Sequence, residues 1–370
     1  MKVGFLSHLD LNLYLFRLPI MRKLVQSGWE VYAIAPKGKY LEKFEEFGIK
    51  PIAYEIDRGS LNPLQEIRAI KNIYSAIKPL KLDILHTFTA KPNIYGTFAA
   101  KFAKVPKVIN LVEGLGSFYV EENAKARAVR FIMERLYKIA FRYSDNVIFV
   151  NSDDPKYMVE KKIVEPKKVV VIKSVGIDTQ YYNPKNVIPV NFHTSKPVVM
   201  MVGRAIWHKG VKEFYEAAKK LADKAHFVYV GATDPGNPSS VSEEFLYSGN
   251  VEYLGHRDDV KDLIGSCDIF VLPSYREGLP RTLLESGALA KPLVATDTVG
   301  CRDVVVNGFN GFLVPPKDVS ALVQAIERLV DDELLRKEFG KNAKSFVEEN
   351  FAIEKIVDAY IKLYEEVKSV

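Results

Sequence analysis

Only two cysteines, Cys267 and Cys301, occur in 370 residues. They are too few for a disulfide framework and lack metal-ligand spacing, so both are expected in the core. No apolar run reaches the roughly 18 residues that a transmembrane helix requires. Lys2-Val3-Gly4-Phe5-Leu6 reads as a strand rather than a signal peptide, which makes a cytoplasmic protein the expectation. Short repeats, low-complexity tracts and the helix-turn-helix, zinc-finger and RNA-binding signatures are missing, which argues against a nucleic-acid partner. What remains is a globular composition, 48% hydrophobic and 26% charged, in a chain too long for one ordinary core.

The net charge of +6 conceals an asymmetry. Residues 1–178 carry 29 Lys and Arg against 19 Asp and Glu, whereas residues 179–370 carry 23 against 27. A basic first half suits an anionic lipid or a phosphorylated acceptor.

Short apolar runs alternate with helical patterns along the whole chain, which predicts parallel sheets with crossover helices. Strands are expected at 2–6, 30–35, 50–55, 83–87, 107–112, 146–150 and 169–174, then at 197–202, 226–231, 251–254, 268–273, 292–296 and 311–314. Between the two series lie Gly176-Ile177-Asp178 and a polar stretch with Pro184 and Pro189, a hinge pattern. The expectation is an α/β fold of two doubly wound, Rossmann-like domains facing across a cleft. Residues 1–178 form the first, 179–196 a linker and 197–350 the second, and 351–370 form a helix with the option of crossing back to the first domain.

The densest chemistry lies in the second series. Glu277 follows an apolar strand and Glu285, separated from it by seven residues, lies in the next helix, so both carboxylates are predicted at a strand's carboxyl end. Carboxylates grip vicinal diols, and the loop Gly278-Leu279-Pro280 with its helix N-terminus suits an anion between them. Arg204 and Lys209, in Gly203-Arg204-Ala205-Ile206-Trp207-His208-Lys209-Gly210, add two cations after the first strand of the domain. They are placed to hold a diphosphate and to offset charge developing on a leaving group. Gly255-His256-Arg257, after another strand, could lie against a base, with an ordinary surface arginine as the alternative. The acidic doublets Asp153-Asp154 and Asp258-Asp259 are assigned to helix starts rather than to metal.

On these motifs, with Leu254-Gly255, Val271-Leu272-Pro273-Ser274, Gly311-Phe312-Leu313-Val314 and Val175-Gly176-Ile177-Asp178, the chain resembles over its whole length the retaining glycosyltransferases of family 4. The resemblance implies a GT-B fold and no metal or other cofactor. It also implies that Glu277 holds donor-sugar hydroxyls, Glu285 the ribose, and Arg204 and Lys209 the diphosphate. Ser7-His8, the run Val112-Glu113-Gly114-Leu115-Gly116-Ser117-Phe118-Tyr119 and Trp207-His208-Lys209-Gly210 look like family members that add N-acetylgalactosamine in α-1,3 linkage to bacillosamine on undecaprenyl diphosphate. That likeness implies UDP-N-acetylgalactosamine and a polyprenyl-diphosphate-linked sugar as substrates, in an early step of protein N-glycosylation. Two departures stand out. Ser7-His8 replaces the glycine pair that many members carry after the first strand, and Glu113 stands where many carry a histidine. Glu113 could hold an acceptor hydroxyl, act as its base, or simply cap a glycine-rich turn beside Gly114 and Gly116.

In the basic half, residues 123–143 have helical periodicity. Val129, Ile132, Met133, Leu136, Ile139, Ala140 and Tyr143 are expected to face the core. Arg127, Arg130, Arg135, Lys138 and Arg142 then cluster opposite, with Phe131 among them, Phe141 at the edge and Phe118-Tyr119 extending the patch. Cations around exposed rings suit an anionic inner-membrane surface, which predicts peripheral attachment at its cytoplasmic face. Lys91, after the fourth strand, is the candidate for an acceptor diphosphate, and His8 and His86 are read as hydrogen-bonded strand-end histidines. A UDP-sugar enzyme for another donor or acceptor, a nucleotide-sugar 2-epimerase and a two-domain sensor remain alternatives.

Overall fold

The computed structural model describes all residues except 58, 60, 61 and 370. The chain divides into two compact units. One comprises Met1–Val175 together with the segment from Glu354 on, and the other Gly176–Ile353.

In the first unit, strands β1 (Lys2–Leu6), β2 (Glu30–Ala35), β3 (Lys50–Ala53), β4 (Ile84–Phe88), β5 (Lys107–Val112), β6 (Asn146–Phe149) and β7 (Val169–Val171) form a sheet of order 3-2-1-4-5-6-7. In the second, β8 (Val198–Val202), β9 (His226–Val230), β10 (Val251–Tyr253), β11 (Ile269–Leu272), β12 (Leu293–Thr296) and β13 (Gly311–Val314) take the order 10-9-8-11-12-13. Every pairing is parallel. Strands covered on both faces read as continuous apolar runs, and β4, β8, β11 and β12 are buried at every position. Each expected strand is present, with ends differing by a few residues at most.

Both sheets reverse their winding direction beside their first strand, between β1 and β4 and between β8 and β11. Loops at the carboxyl ends of those strands diverge there and leave a crevice suited to a ligand.

Helices that matter below are α1 (Asp10–Phe16), α2 (Leu18–Gln26), α3 (Pro63–Ile77), α4 (Ala124–Phe141), α5 (Val211–Lys220), α6 (Arg281–Ala288), α7 (Val319–Asp331), α8 (Glu333–Phe351) and α9 (Ile353–Ser369). The closing helices follow a 3.6-residue period. In α7, Leu322, Ile326 and Leu329 are buried on one stripe. In α9, Ile356, Tyr360, Leu363, Tyr364 and Val367 are buried, and Tyr364 meets the rings of Phe5, Trp29 and His86. Burial of each such side chain contributes about 1.5–3 kcal/mol, which fastens the end of the chain to the first unit's sheet. Cys267 and Cys301 are both free and buried, and burial pushes each thiol up to about 12. Among the described residues, no helix is long and apolar enough to cross a membrane.

Candidate active site

The second unit builds its site at the β8/β11 reversal. After β8, the loop Gly203–Gly210 turns back on itself and delivers Lys209 to Glu277, with Lys209 Nζ donating to Glu277 Oε1 at 2.6 Å. Gly210 makes this approach possible. Its φ is +77°, and a Cβ added there would lie 2.1 Å from the Pro273 carbonyl oxygen. Gly300 does the same from the loop after β12, where a Cβ would lie 2.5 Å from the Gly278 carbonyl oxygen. Glu277 N–H donates to Val299 O at 3.1 Å, so three loops converge around this residue.

Glu285, one turn into α6, is buried. Its Oε1 accepts from Arg281 Nε at 2.8 Å and from Tyr182 OH at 2.9 Å. Burial raises the Glu285 pKa, and the Arg281 charge opposes that rise. Arg281 was legible as an i,i−4 partner on the helix. Tyr182 was not, because it lies 103 residues away in the linker. Gly278, Leu279 and the buried Pro280 lead into the N-terminus of α6, where the helix dipole favours negative charge. The crevice therefore holds two fixed carboxylates, a cation and a helix N-terminus. That set can bind diols on either side of an anion.

Two family models match the chain, Glycosyl transferase 4-like over residues 2–151 and Glycosyl transferases group 1 over residues 183–346. The chain is 42% identical to an N,N'-diacetylbacillosaminyl-diphospho-undecaprenol alpha-1,3-N-acetylgalactosaminyltransferase of Campylobacter jejuni, over 99% of both chains. The chain belongs to this glycosyltransferase family. It is also 28% identical to the UDP-Gal:alpha-D-GlcNAc-diphosphoundecaprenol alpha-1,3-galactosyltransferase of Escherichia coli, over 82% of this chain and 81% of that one. Sucrose-phosphate synthase from Thermosynechococcus elongatus superposes with a TM-score of 0.82 at 20% identity, covering 100% of this chain and 99% of that one. That likeness concerns the fold alone, the pair of Rossmann-like units of the GT-B class.

Several residues of the glycosyltransferase are engaged differently from the expectation. Arg204 is largely exposed, and its Nη1 donates to Asp234 Oδ2 at 2.8 Å. Asn237 holds the same Asp234 oxygen at 3.0 Å. Arg257 is fastened to Asp259 through Nε at 2.8 Å and Nη2 at 2.6 Å instead of standing open for a base, because Asp259 at the start of the following helix is its nearest anion. Gly255 and His256 border open space. Lys91 is also committed. Its Nζ reaches Glu66 Oε1 on α3 at 2.7 Å and Asp57 O at 2.8 Å, so its charge is balanced within the first unit.

Helix α4 is rotated from the predicted facing. Ala126, Tyr137, Ala140 and Phe141 are its buried residues, and the Tyr137 and Phe141 rings lie 5.0 Å apart. Ile132, Ile139 and Tyr143, expected inside, are exposed, while Phe141, expected at the edge, is inside. Two large aromatic side chains remove more apolar surface from water than the isoleucines they displace. Arg130 also leaves the predicted patch. Its guanidinium bonds Phe118 O at 2.8 and 3.1 Å and Glu121 O at 2.9 Å, and covers the Tyr119 ring at 5.2 Å. The outward face that results carries Phe131 (57% exposed), Ile132 (56%), Ile139 and Tyr143 among Arg127, Arg135 and Arg142, with Lys138 at its margin and Phe118 exposed upstream. Arg135 lies over the Phe131 ring at 4.9 Å and Lys101 over Tyr143 at 3.4 Å.

In the first unit, His8 Nδ1 meets Thr89 Oγ1 at 2.5 Å across the β1/β4 reversal, and His86 Nδ1 meets Tyr364 OH at 2.5 Å. Glu113 follows β5, beside the Gly114 and Gly116 turn, and is ion-paired to Arg17. The sequence singled out Glu113 but offered no sign of Arg17, a lone arginine between apolar residues. Among the described residues, no three His, Cys, Asp or Glu side chains are grouped to hold a metal ion.

Proposed function

We propose that this glycosyltransferase moves N-acetylgalactosamine from UDP-N-acetylgalactosamine, with retention, in α-1,3 linkage to N,N'-diacetylbacillosamine on undecaprenyl diphosphate. The reaction is an early step in assembling the glycan for protein N-glycosylation, and it proceeds without a metal. The observation that carries this reading is the convergence of Lys209, Glu277 and Glu285 at the β8/β11 reversal, in a chain 42% identical over 99% of its length to a transferase named for those substrates. Glu277 takes the sugar hydroxyls, Glu285 the ribose diol, and Lys209 with Arg204 the diphosphate. Diphosphate entry exchanges the carboxylate partners of both cations, Glu277 and Asp234, for phosphate oxygens.

In the transfer, the acceptor oxygen bonds to the anomeric carbon as the bond from that carbon to the β-phosphate oxygen breaks with its electron pair. The acceptor's hydroxyl proton passes to the departing phosphate oxygen on the same face. Lys209 and Arg204 offset the charge that gathers there, which is the electrostatic part of catalysis. The outward face of α4 places apolar rings among cations. That composition suits an anionic bilayer surface, with each basic residue contributing about 1 kcal/mol, and it supports peripheral attachment at the cytoplasmic face of the inner membrane.

The test is a panel of UDP-sugars offered with undecaprenyl-diphosphate-linked N,N'-diacetylbacillosamine, in the presence and absence of a chelator. An α-1,3-linked N-acetylgalactosamine product formed at an undiminished rate under chelation is expected. Failure to use that acceptor, or interconversion of UDP-N-acetylhexosamine alone, defeats the reading.

A further inference from the structure

We propose that Arg17 is a positioning residue, which fixes Glu113 as an oriented hydrogen-bond acceptor for the sugar that receives the glycosyl group rather than as a base. The inference rests on the function proposed above and assigns roles within the first unit. Arg17 lies between α1 and α2 and is 2% exposed. Its Nη2 donates to Glu113 Oε1, its Nη1 donates to Ser174 Oγ at 2.8 Å, and the guanidinium carbon lies 4.8 Å over the Phe88 ring. Asn12 Nδ2 donates to the same Glu113 oxygen at 3.2 Å. Four parts of the unit, the α1 region, the ends of β4 and β5 and the segment after β7, thus meet at one cation.

A buried guanidinium is costly unless an anion balances it. A wholly structural pair would also enclose the anion. Here the Glu113 side chain remains 28% exposed although its partner is buried. Its Oε1 is pinned from two sides, and among the described residues Oε2 has only Asn12 at 3.5 Å. The carboxylate emerges at the carboxyl end of β5, next to the β1/β4 reversal and the glycine turn, where an added Cβ at Gly116 would meet nothing within 4 Å. His86, beneath, does not share the charge, because burial and then the Arg17 charge depress its pKa. A carboxylate held this closely by a fixed cation and an amide is a well-aimed partner for a hydroxyl or acetamido N–H. The buried arginine supplies the countercharge of this glutamate.

The experiment measures acceptor KM, kcat and UDP affinity for Arg17→Met, Arg17→Lys, Ser174→Ala, Glu113→Gln and Glu113→Ala in the full-length protein. UDP affinity belongs to the second unit and reports an intact donor site, and the circular-dichroism spectrum with its thermal transition reports that the variants are folded. Arg17→Met is expected to raise acceptor KM about tenfold or more with UDP affinity unchanged, and Arg17→Lys to recover part of the loss. Glu113→Gln, which keeps an acceptor oxygen, is expected to hold kcat within about threefold, while Glu113→Ala raises acceptor KM at least tenfold. Should Arg17→Met not fold, Ser174→Ala keeps the cation but loosens it, and a rise of about threefold in acceptor KM supports the assignment. A wild-type acceptor KM in Arg17→Met or in a folded Ser174→Ala overturns the positioning role. A kcat for Glu113→Gln lowered about 100-fold or more overturns the acceptor role in favour of a base. Either result leaves the proposed reaction standing, whereas a wild-type protein inert toward polyprenyl-diphosphate sugars would refute that reaction instead.

Discussion

Replacing Glu285 by alanine separates a ribose-holding carboxylate from one that merely braces α6. The side chain is buried, with Arg281 and Tyr182 both bonded to Oε1, so its orientation is set before any nucleotide arrives. Two hydrogen bonds from a ribose diol to a charged acceptor are worth about 1.5 kcal/mol each at the lower end, or about 3 kcal/mol together. That corresponds to a loss of about 100-fold in UDP affinity. Titration calorimetry with UDP and with 2′,3′-dideoxy-UDP, against wild type and Glu285→Ala, completes a double-mutant cycle. The variant is expected to bind UDP about 100-fold more weakly, yet to bind the dideoxy nucleotide within about threefold of wild type. Equal losses for the two ligands would refute the ribose assignment and leave Glu285 a structural brace between α6 and the linker.

The raised pKa of Glu285 predicts a pH signature in stability. A carboxyl whose folded pKa lies above its unfolded value stabilises the fold below the unfolded pKa, and that contribution is lost as pH rises through the folded pKa. Glu285→Gln should therefore match wild type in melting temperature near pH 4 and exceed it at neutral pH. On the role proposed for Lys209, Lys209→Ala should lower kcat about 100-fold or more, measured as UDP release. Gly210→Ala forces a Cβ to within 2.1 Å of the Pro273 carbonyl oxygen at a φ of +77°. It should cost about 2 kcal/mol or more, seen as a fall of roughly 4 °C or more in melting temperature together with weaker UDP binding. Ile132→Glu with Ile139→Glu should reduce co-sedimentation with phosphatidylglycerol vesicles about tenfold or more while leaving UDP affinity unchanged.

The alternation of strand and helix, and with it two parallel sheets, was legible in the sequence. Buried parallel strands must be apolar throughout, so β8 and β11 announce themselves without any knowledge of their neighbours. The carboxyl-end placement of Glu277, Arg204 and Lys209 followed from the same pattern, since a polar residue directly after such a strand stands at the sheet's rim. Periodicity misjudged the facing of α4. Its isoleucines and its aromatic residues form competing stripes, and the sheet beneath selected Tyr137 and Phe141.

The sequence by itself thus determined the fold class, the family and the set of charged groups after β8 and β11, because each depends on local pattern and short spacing. Only the tertiary structure decided which charges neutralise one another: Lys209 with Glu277, Arg204 with Asp234, Lys91 with Glu66 and Arg17 with Glu113. These partners lie 25 to 96 residues apart. Coulombic attraction acts through space, and sequence spacing carries no trace of which loops a parallel sheet will bring side by side.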